Sequence, residues 1–433
     1  MRRVLVILVC LVALLPIHAA SGGASGTPTF RVSETPSYGV ELNLAVLNNG
    51  HVFVGGWVGT GPGLVKSTDD GLTWQATGIG VGAAGVTVGT DDVSADRTLT
   101  ADKDTGRVFV DDTYLGCTVL SWTDDEGATW LRNPIACGVG ATDHEKIAVG
   151  HRVGTLATLP APLYPDVVYV CANGLSHDNC GSSFDGGLTV QSVEPHGVGC
   201  AFQGQVYAAP DGTVYEPTVA CGAKLHVSAN NGLTWTDVTV PVSAAANTGT
   251  LADVAATPDG TVYFLYADAS YHAKYVYSHN KGASWSQPVD VTPAGVTSVG
   301  FPVIVAGDDG RVGIAMYGTT DVGATGVNPG SVGSAVAWNG YVSIVTGADT
   351  ATPAIQATQV TPTGDPLAYG CISKDGGCGG DPIADYFDVD VGPDGRVYAV
   401  FGDACPATCT SHATQTAARA VVAIQTGGTN LKA

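Results

Sequence analysis

Residues 67–74 read STDDGLTW, and this eight-residue pattern decides the fold of the chain. Four further copies follow: TDDEGATW at 123–130, SFDGGLTV at 183–190, SANNGLTW at 228–235 and SHNKGASW at 278–285. In each copy an Asp or Asn can accept backbone N–H bonds and a Gly can take a positive φ, as a tight hairpin turn requires. The last two residues begin the next strand. We therefore predict that the tryptophans of this pattern are packing anchors rather than sugar-binding platforms.

A second repeat, built on a glycine turn, interleaves with the first. An apolar strand precedes the glycine and a β-rich strand follows it in every copy. The turn glycines are Gly50, Gly106, Gly212, Gly260, Gly310 and Gly395, with a diverged copy at Gly154. Each unit thus contains four strands over roughly fifty residues, which is the period of a propeller blade. The sequence predicts an all-β propeller of four-stranded blades.

The two repeats together predict seven blades. Six or eight blades are alternatives, because residues 318–385 are long and irregular. Residues 28–33 are predicted to form an outer strand that closes the ring onto the last blade. We see no linker that separates a second domain, so residues 21–433 are predicted to form one propeller domain.

The composition excludes several partners. Only 13% of the residues are charged, yet the formal net charge is −21. Such an acidic surface repels phosphate backbones and anionic lipids, so we expect no binding to nucleic acid or to anionic membranes. No cofactor is required by any motif. Calcium is an alternative on ligand chemistry, since hard cations take several oxygen ligands, although no loop of the EF-hand type is present.

The N-terminus predicts export. Arg2 and Arg3 precede an apolar run, and Ala19 and Ala20 suit cleavage, so residues 1–20 read as a signal peptide. No later stretch is long enough to span a membrane, and we expect a secreted protein. Disulfides form in that environment. The simplest pairing joins neighbours in sequence: Cys117 with Cys137, Cys171 with Cys180, Cys200 with Cys221, Cys371 with Cys378, and Cys405 with Cys409.

The eight-residue repeats resemble the Asp-box, or bacterial neuraminidase repeat, superfamily of sialidase-like propellers, and the match covers nearly all of the mature chain. The resemblance implies that the Asp-box turns lie on the blade periphery, away from any active site. Sialidases, other glycosidases, lyases, receptor ectodomains and assembly factors share the motif. It therefore implies an architecture and not a reaction.

The resemblance also implies what a sialidase site needs: an arginine triad, a Tyr nucleophile activated by Glu, and an Asp acid/base. Three arginines, Arg107, Arg311 and Arg396, directly follow turn glycines and so fall at the wrong end of the inner strands. Arg97 alone is well placed. A triad is not evident, and whether the protein is an enzyme stays open.

A candidate site follows from the register of the glycine turns. Nine residues before each glycine lie Glu41, Arg97, Glu145, Gln203, Leu251, Phe301 and Tyr386, with His144 and Asp385 directly before two of them. These positions begin the inner strands, where sialidase-like propellers open their channel. The candidate catalytic residues are Glu41, Arg97, His144, Glu145, Asp385 and Tyr386. Two carboxylates can divide acid and base roles in glycoside chemistry, and Tyr386 beside Asp385 is the best match to a Tyr nucleophile.

Other interpretations stay open. These polar groups could instead cap strand ends and pair with one another around a solvated channel. Five histidines, His51, His151, His226, His272 and His279, are interpreted as exposed polar positions rather than metal ligands. Two functions follow: a glycoside hydrolase or glycan-binding propeller that meets an extracellular glycan or glycoprotein, or a non-catalytic extracellular scaffold that binds another protein. The sequence does not determine the oligomeric state.

Overall fold

The structure, a computed structural model, describes residues 26–60, 63–77, 97–114, 116–133, 139–140, 143–161, 163–174, 177–193, 200, 203–245, 251–323, 326–373, 383, 386–405 and 409–433. Over these residues it is all-β, with short 3₁₀ segments at Gly154–Thr158 and His412–Thr414. The all-β prediction is confirmed. The predicted signal peptide, residues 1–20, lies outside the described residues. Among the described segments, none is a helix long and apolar enough to cross a membrane.

One long strand belongs to two groups of strands at once. β1 (Thr29–Val46) pairs through its first half, Thr29 to Glu34, with β28 (Arg419–Gly427). Its second half, Asn43 to Val46, pairs with β2 (Val52–Thr60). The two halves are joined by register shifts. The predicted outer strand at residues 28–33 is therefore present, and it ties the N-terminal strand to the C-terminal one.

The described strands form antiparallel sheets in which consecutive strands are neighbours. The sheet that shares β1 also contains β3 (Leu64–Ser67), β4 (Gln75–Ala76), β26 (Asp388–Val391) and β27 (Val397–Asp403). The second contains β5 (Arg97–Ala101), β6 (Val108–Tyr114), β7 (Cys117–Thr123) and β8 (Leu131–Arg132). The third contains β9 (Asp143–Gly150), β10 (Val167–Asn173), β11 (Asp178–Ser183) and β12 (Gln191–Val193).

The remaining sheets repeat this four-stranded plan. The fourth contains β13 (Tyr207–Ala208), β14 (Val214–Thr218), β15 (Lys224–Ser228) and β16 (Thr236–Thr239). The fifth contains β17 (Asp253–Ala256), β18 (Val262–Ala267), β19 (Ala273–Ser278) and β20 (Val289–Asp290). The sixth contains β21 (Ser298–Ala306), β22 (Arg311–Thr319), β23 (Ala337–Thr346) and β24 (Ala354–Gln359), with β25 (Ala368–Tyr369) paired to β23.

The first strands of these groups contact one another in chain order. β1 contacts β5, β5 contacts β9, β9 contacts β13, β17 contacts β21, β21 contacts β26, and β26 contacts β1 again. The Tyr207 hydroxyl on β13 donates to the Ala256 carbonyl on β17 at 3.0 Å. Buried apolar clusters lie between consecutive groups, including one between β26–β28 and β1–β3. The core is thus divided among the interfaces between sheets.

The eight-residue turns adopt the predicted conformation between the third and fourth strands. In the first copy the Gly71 N–H donates to Ser67 Oγ at 2.8 Å, and Asp69 accepts both the N–H (2.8 Å) and the hydroxyl (2.6 Å) of Thr73. The two backbone N–H bonds recur in the other copies, with Asn replacing Asp in the last two. In these two copies the Asn amide donates to the hydroxyl of Thr234 or Ser284. Both Asp70 and Gly71 have positive φ.

The tryptophans of these turns pack between sheets, as predicted. Trp130 is buried in the cluster that joins the first and second groups of strands. Trp74, Trp235 and Trp285 pack against three other clusters. The turns therefore anchor each group of strands to its predecessor, because the indole is inserted into the interface behind it.

Three of the predicted disulfides are present: Cys171–Cys180, Cys200–Cys221 and Cys405–Cys409. Cys117 and Cys371 are also disulfide-bonded. Their predicted partners, Cys137 and Cys378, lie outside the described residues. Cys171 and Cys180 stand directly opposite each other on β10 and β11, so this bond crosses one strand pair.

Candidate functional site

The predicted catalytic residues lie where the first strands begin, and their side chains are buried. We call the residues nine before each turn glycine the leading ring. Glu145 and His144 are fully buried, Arg97 is 3% exposed, Glu41 5% and Tyr386 6%. Asp385 lies outside the described residues. In the described residues, the leading ring is therefore a buried layer that mixes polar side chains with Leu251 and Phe301.

The backbone is strained at this level. Glu41, His144 and Phe301 have φ of 56°, 57° and 49°, in the left-handed region that residues with a Cβ rarely adopt. The register of β1 against β2 shifts between Val40 and Asn43, and that of β21 against β22 shifts between Gly300 and Val303. Bulges of this kind re-aim side chains and are over-represented at barrel rims and active sites.

Arg97 is held in an ion pair and not by a ligand. Its Nε lies 2.8 Å from Asp112 Oδ1 on the neighbouring strand β6, and both side chains are almost fully buried. Arg132 approaches the other oxygen of Asp112 at 3.5 Å. The Arg97 carbonyl accepts a bond from Asn43, which also donates to the Glu41 carbonyl. The sequence left open that Arg97 pairs with another polar group of the candidate site. Asp112 was missed, although it stands opposite Arg97 in the strand pair.

His144, Tyr386 and Lys146 come together. The rings of His144 and Tyr386 are 5.8 Å apart between centroids, and Lys146 Nζ lies 2.9 Å from the centre of the Tyr386 ring. Lys146 and Tyr386 border a small cavity of about 30 Å³ together with Asp253 and Phe301. The cavity is thus bordered by side chains from β9, β17 and β21 and by Tyr386, which lies just before β26. Sequence reasoning found His144 and Tyr386 and missed Lys146, which follows Glu145 directly.

A second polar layer lies two residues further along the first strands. It contains Asn43, Gln205, Asp253 and Asp388, each seven residues before its turn glycine. Asp253 accepts the Ile304 N–H at 2.8 Å, and Asp388 accepts the Leu44 N–H at 3.2 Å. Each carboxyl therefore bridges its strand to the next first strand. The glycine register of the sequence also predicts this layer when it is counted two positions further along each strand.

Burial changes the acidity of this layer. It raises the pKa of Asp253 to about 7, while Lys146 and two backbone N–H groups act in the opposite direction. Burial also raises the pKa of Asp388 to about 8, and the neighbouring carboxyls of Asp390 and Asp253 add to that effect. Removing a carboxylate from water disfavours its charged form, so these groups hold their protons near neutral pH.

Beyond this layer the first strands enclose a chamber of about 400 Å³. The first strand of each described group contributes to its wall, which includes Ala45, Ala101, Val149, Tyr207, Val305 and Asp390. Its rim lies at the turn end of the strands, where Lys103, Asp104, His151 and Lys432 are placed. Lys103 binds Asp390 at 2.7 Å. The chamber combines an apolar wall with a few charged groups, as ligand pockets do.

In the part of the chain that the structure describes, two groups of side chains have donor atoms close enough to hold a metal ion. One comprises Cys171, Cys180 and Glu216, but its two sulfurs are joined in a disulfide. The other comprises Asp104, His151 and Asp166 at the chamber rim, with donor atoms within 4.8 Å of one another. Only the second offers free ligand atoms.

Comparison with known proteins supports the fold alone. No family model matches the chain, and no curated protein matches its sequence. YCF48 from Cyanidioschyzon merolae is similar in structure, with a TM-score of 0.51 at 10% identity over 92% of this chain and 98% of that one. The six-bladed β-propeller lectin of Aleuria aurantia gives 0.43 at 12% identity, covering 76% of this chain and all of that one. NanB sialidase from Streptococcus pneumoniae gives 0.43 at 12%, covering 94% and 70%.

These neighbours are propellers of several kinds, a lectin and a sialidase among them. Identities this low carry no information about ligands or reactions, since one fold supports many functions. The likeness to YCF48 supports the fold, and the four-stranded sheets are seen in the strand pairing of this chain itself. The chemistry has to be argued from the site.

Proposed function

We propose that this protein is a secreted propeller of seven four-stranded blades that binds an extracellular saccharide in its central chamber. The blade number is supported by the strand pairing: splitting β1 at its register shifts leaves seven sets of four strands in the described residues. Export is supported by the signal-like N-terminus and by the disulfides, which persist in oxidising compartments.

The chamber carries the proposal. Its volume of about 400 Å³ falls in the range of small-molecule sites, about 300–1,000 Å³. Its rim offers hydrogen-bond donors from Lys103 and Lys432 and acceptors from Asp104 and Asp166, and Tyr207 adds an aromatic wall. A saccharide presents hydroxyls that both donate and accept, with apolar C–H faces between them. The lining of the chamber is complementary to both.

Binding without hydrolysis is the function that the geometry favours. Glycoside hydrolysis needs two carboxyl groups that flank the scissile bond and reach it. Glu145 is fully buried and Glu41 is 5% exposed. Arg97, the one arginine placed for a carboxylate-binding triad, is already paired with Asp112. The described residues of the leading ring therefore offer a substrate little access.

A glycoside hydrolase is the second candidate, and one observation favours it. The left-handed residues Glu41, His144 and Phe301 lie at one level of three first strands. Strain of this kind collects at functional sites. In this reading the catalytic residues are Glu41, Arg97, His144, Glu145, Asp385 and Tyr386, as the sequence predicts, and calcium is a structural alternative at most.

Two variants of the chamber test the first proposal. Ala101→Trp fills the chamber with a large side chain. Lys103→Ala removes a cation from a half-exposed position of the rim, so it can still test the proposal if Ala101→Trp fails to fold. The proteins are tested on a panel of immobilised glycans, and the affinity for any glycan that binds is measured by calorimetry. We expect this affinity to fall at least tenfold in both variants. Glu145→Gln and Tyr386→Phe serve as controls from the leading ring.

Each outcome separates the candidates. Binding that is lost in the chamber variants and kept in Glu145→Gln supports the chamber. Turnover of fluorogenic glycosides, sialosides included, that disappears in Glu145→Gln or Tyr386→Phe supports the hydrolase instead. Absence of both binding and turnover rejects both glycan functions and leaves the protein-binding scaffold.

A further inference from the structure

Three side chains from two neighbouring sheets meet at the chamber rim. Asp104 lies in the turn between β5 and β6, while His151 and Asp166 flank the segment that joins β9 to β10. His151 Nδ1 is 3.2 Å from Asp166 Oδ1 and 3.4 Å from Asp104 Oδ2. Asp166 is 8% exposed at its side chain, whereas the other two face solvent.

The two distances from His151 Nδ1 match the separation of neighbouring ligand atoms around a tetrahedral metal ion. Ligand atoms held about 2.0–2.1 Å from a zinc ion in a tetrahedron lie about 3.3–3.4 Å apart. The two measured contacts are 3.2 and 3.4 Å, and all three donor atoms lie within 4.8 Å of one another. Zinc sites with three protein ligands leave a fourth coordination position open.

The surroundings position the backbone of Asp104, and the neighbouring cations bind other groups. Asp102 Oδ1 accepts the backbone N–H groups of Asp104 and Thr105, and its other oxygen accepts the Tyr164 hydroxyl. The nearby cations are engaged elsewhere: Lys103 with Asp390 and Arg107 with Asp124. Arg152 donates to the carbonyls of Tyr164 and Phe184.

We propose that Asp104, His151 and Asp166 form a binding site for one divalent transition-metal ion, with zinc the best fit. An imidazole and two carboxylates favour zinc and similar ions over calcium, which takes six to eight oxygens. The ion joins the second and third sheets, because Asp104 comes from one and the other two ligands from the other. Asp102 acts as a positioning residue that holds the backbone of Asp104. The site shares Asp104 and Asp166 with the chamber rim. Its test measures zinc and uses no saccharide, so the two proposals can fail separately.

The test uses the full secreted chain without an affinity tag, since a histidine tag binds zinc itself. After removal of metal with a chelator, zinc chloride is titrated by calorimetry, and bound zinc is counted by elemental analysis after dialysis. One equivalent is expected for the unaltered protein. His151→Ala and Asp166→Asn are expected to weaken binding at least tenfold, and Asp102→Asn roughly 10–100-fold.

His51→Ala is the matched control. His51 Nδ1 lies 2.6 Å from Glu126 Oε2, so this residue is also a half-exposed histidine paired with a carboxylate, but without a second carboxylate ligand. It is expected to bind zinc like the unaltered protein. His151 is exposed, so its variant keeps the test even if Asp166→Asn fails to fold. The proposal is overturned if no stoichiometric zinc binds, if calcium binds in its place, or if His51→Ala loses as much affinity as His151→Ala.

Discussion

Asp253 makes the stability of the protein depend on pH. Its pKa is about 7 in the folded chain because it is buried, against about 3.9 for an Asp in an unfolded chain. The folded state thus holds one more proton between these values. The corresponding stabilisation is complete below about pH 4 and is lost as the pH rises through 7. Asp388, with a pKa of about 8, extends the decline to higher pH.

We expect Asp253→Asn to flatten this decline, because an amide does not titrate. Urea unfolding from pH 4 to 8 measures the decline as the change in unfolding free energy across this range. The comparison uses this change and not the unfolding free energy at any one pH. Asp185→Asn is the control, since hydrogen bonds from Thr189 and Ser183 lower the pKa of Asp185. A pH dependence in Asp253→Asn as steep as in the unaltered protein contradicts the assignment.

The repeated turns depend on one side chain. Asp185 accepts the N–H of Thr189 at 2.9 Å and its hydroxyl at 2.6 Å. Asp185→Ala removes both bonds and is expected to cost about 1–2 kcal/mol of unfolding free energy. Asp185→Asn is expected to cost less, because Asn230 makes the same two contacts with Thr234 in another copy. Urea unfolding of both variants tests this, and equal losses contradict it.

At the residue scale, the sequence predicted where the candidate site residues lie along the strands, but not how far their side chains are buried or what they contact. The glycine register placed Glu41, Arg97 and Tyr386 at one level, since a turn glycine with positive φ fixes the count along the strand. It did not predict their burial, which depends on side chains that neighbouring strands contribute. Asp112 and Lys146 were missed for the same reason: each acts through a contact across strands or sheets.

The first half of β1 is the element on which closure depends. Thr29 to Glu34 pairs with β28, and Phe30 and Val32 pack against the neighbouring core. Ser33 accepts a bond from the Trp74 indole at 2.9 Å, so this strand also touches the first repeated turn. Without it, β28 presents an unpaired edge to solvent, which invites aggregation.

A chain that begins at Thr35 is therefore expected to unfold at lower temperature and to associate. A chain that begins at Gly26 retains the strand and is the control. Thermal unfolding and size-exclusion chromatography distinguish the two. Equal melting temperatures in the two chains reject the closing role of this strand.

The strand order was predictable because each turn type carries its own chemistry. Glycine turns separate first from second strands, and the eight-residue turns separate third from fourth. The sixth group departs from this plan: β23 and β24 are joined without an eight-residue turn, and β25 pairs on the far side of β23. The Gly310 turn marks its first two strands, but no eight-residue turn marks the last two, so the sequence left residues 318–385 without an assignment.

At the scale of the whole molecule, the division of the core among interfaces ties the sheets together. Each buried cluster draws residues from two consecutive groups of strands, so no group completes its core alone. In open repeat arrays, stability is a sum of unit and interface contributions, and the ends fray first. Here β1 pairs with β28 and so joins the first and last groups of strands. The repeats predicted the arrangement of the strands. They did not predict a ligand, because the residues that line the chamber vary from strand to strand.

Unfolding should consequently occur in one cooperative transition. Trp74, Trp130, Trp235 and Trp285 pack in four different clusters, so their fluorescence reports on separated parts of the molecule. We expect the urea transition monitored by tryptophan fluorescence to coincide with that monitored by far-ultraviolet circular dichroism. In the chain that begins at Thr35 the two curves are expected to separate, because the last and first groups of strands lose their shared strand. Non-coincident curves in the intact chain would show that the sheets unfold independently, and coincident curves in the shortened chain would show that cooperativity does not depend on closure.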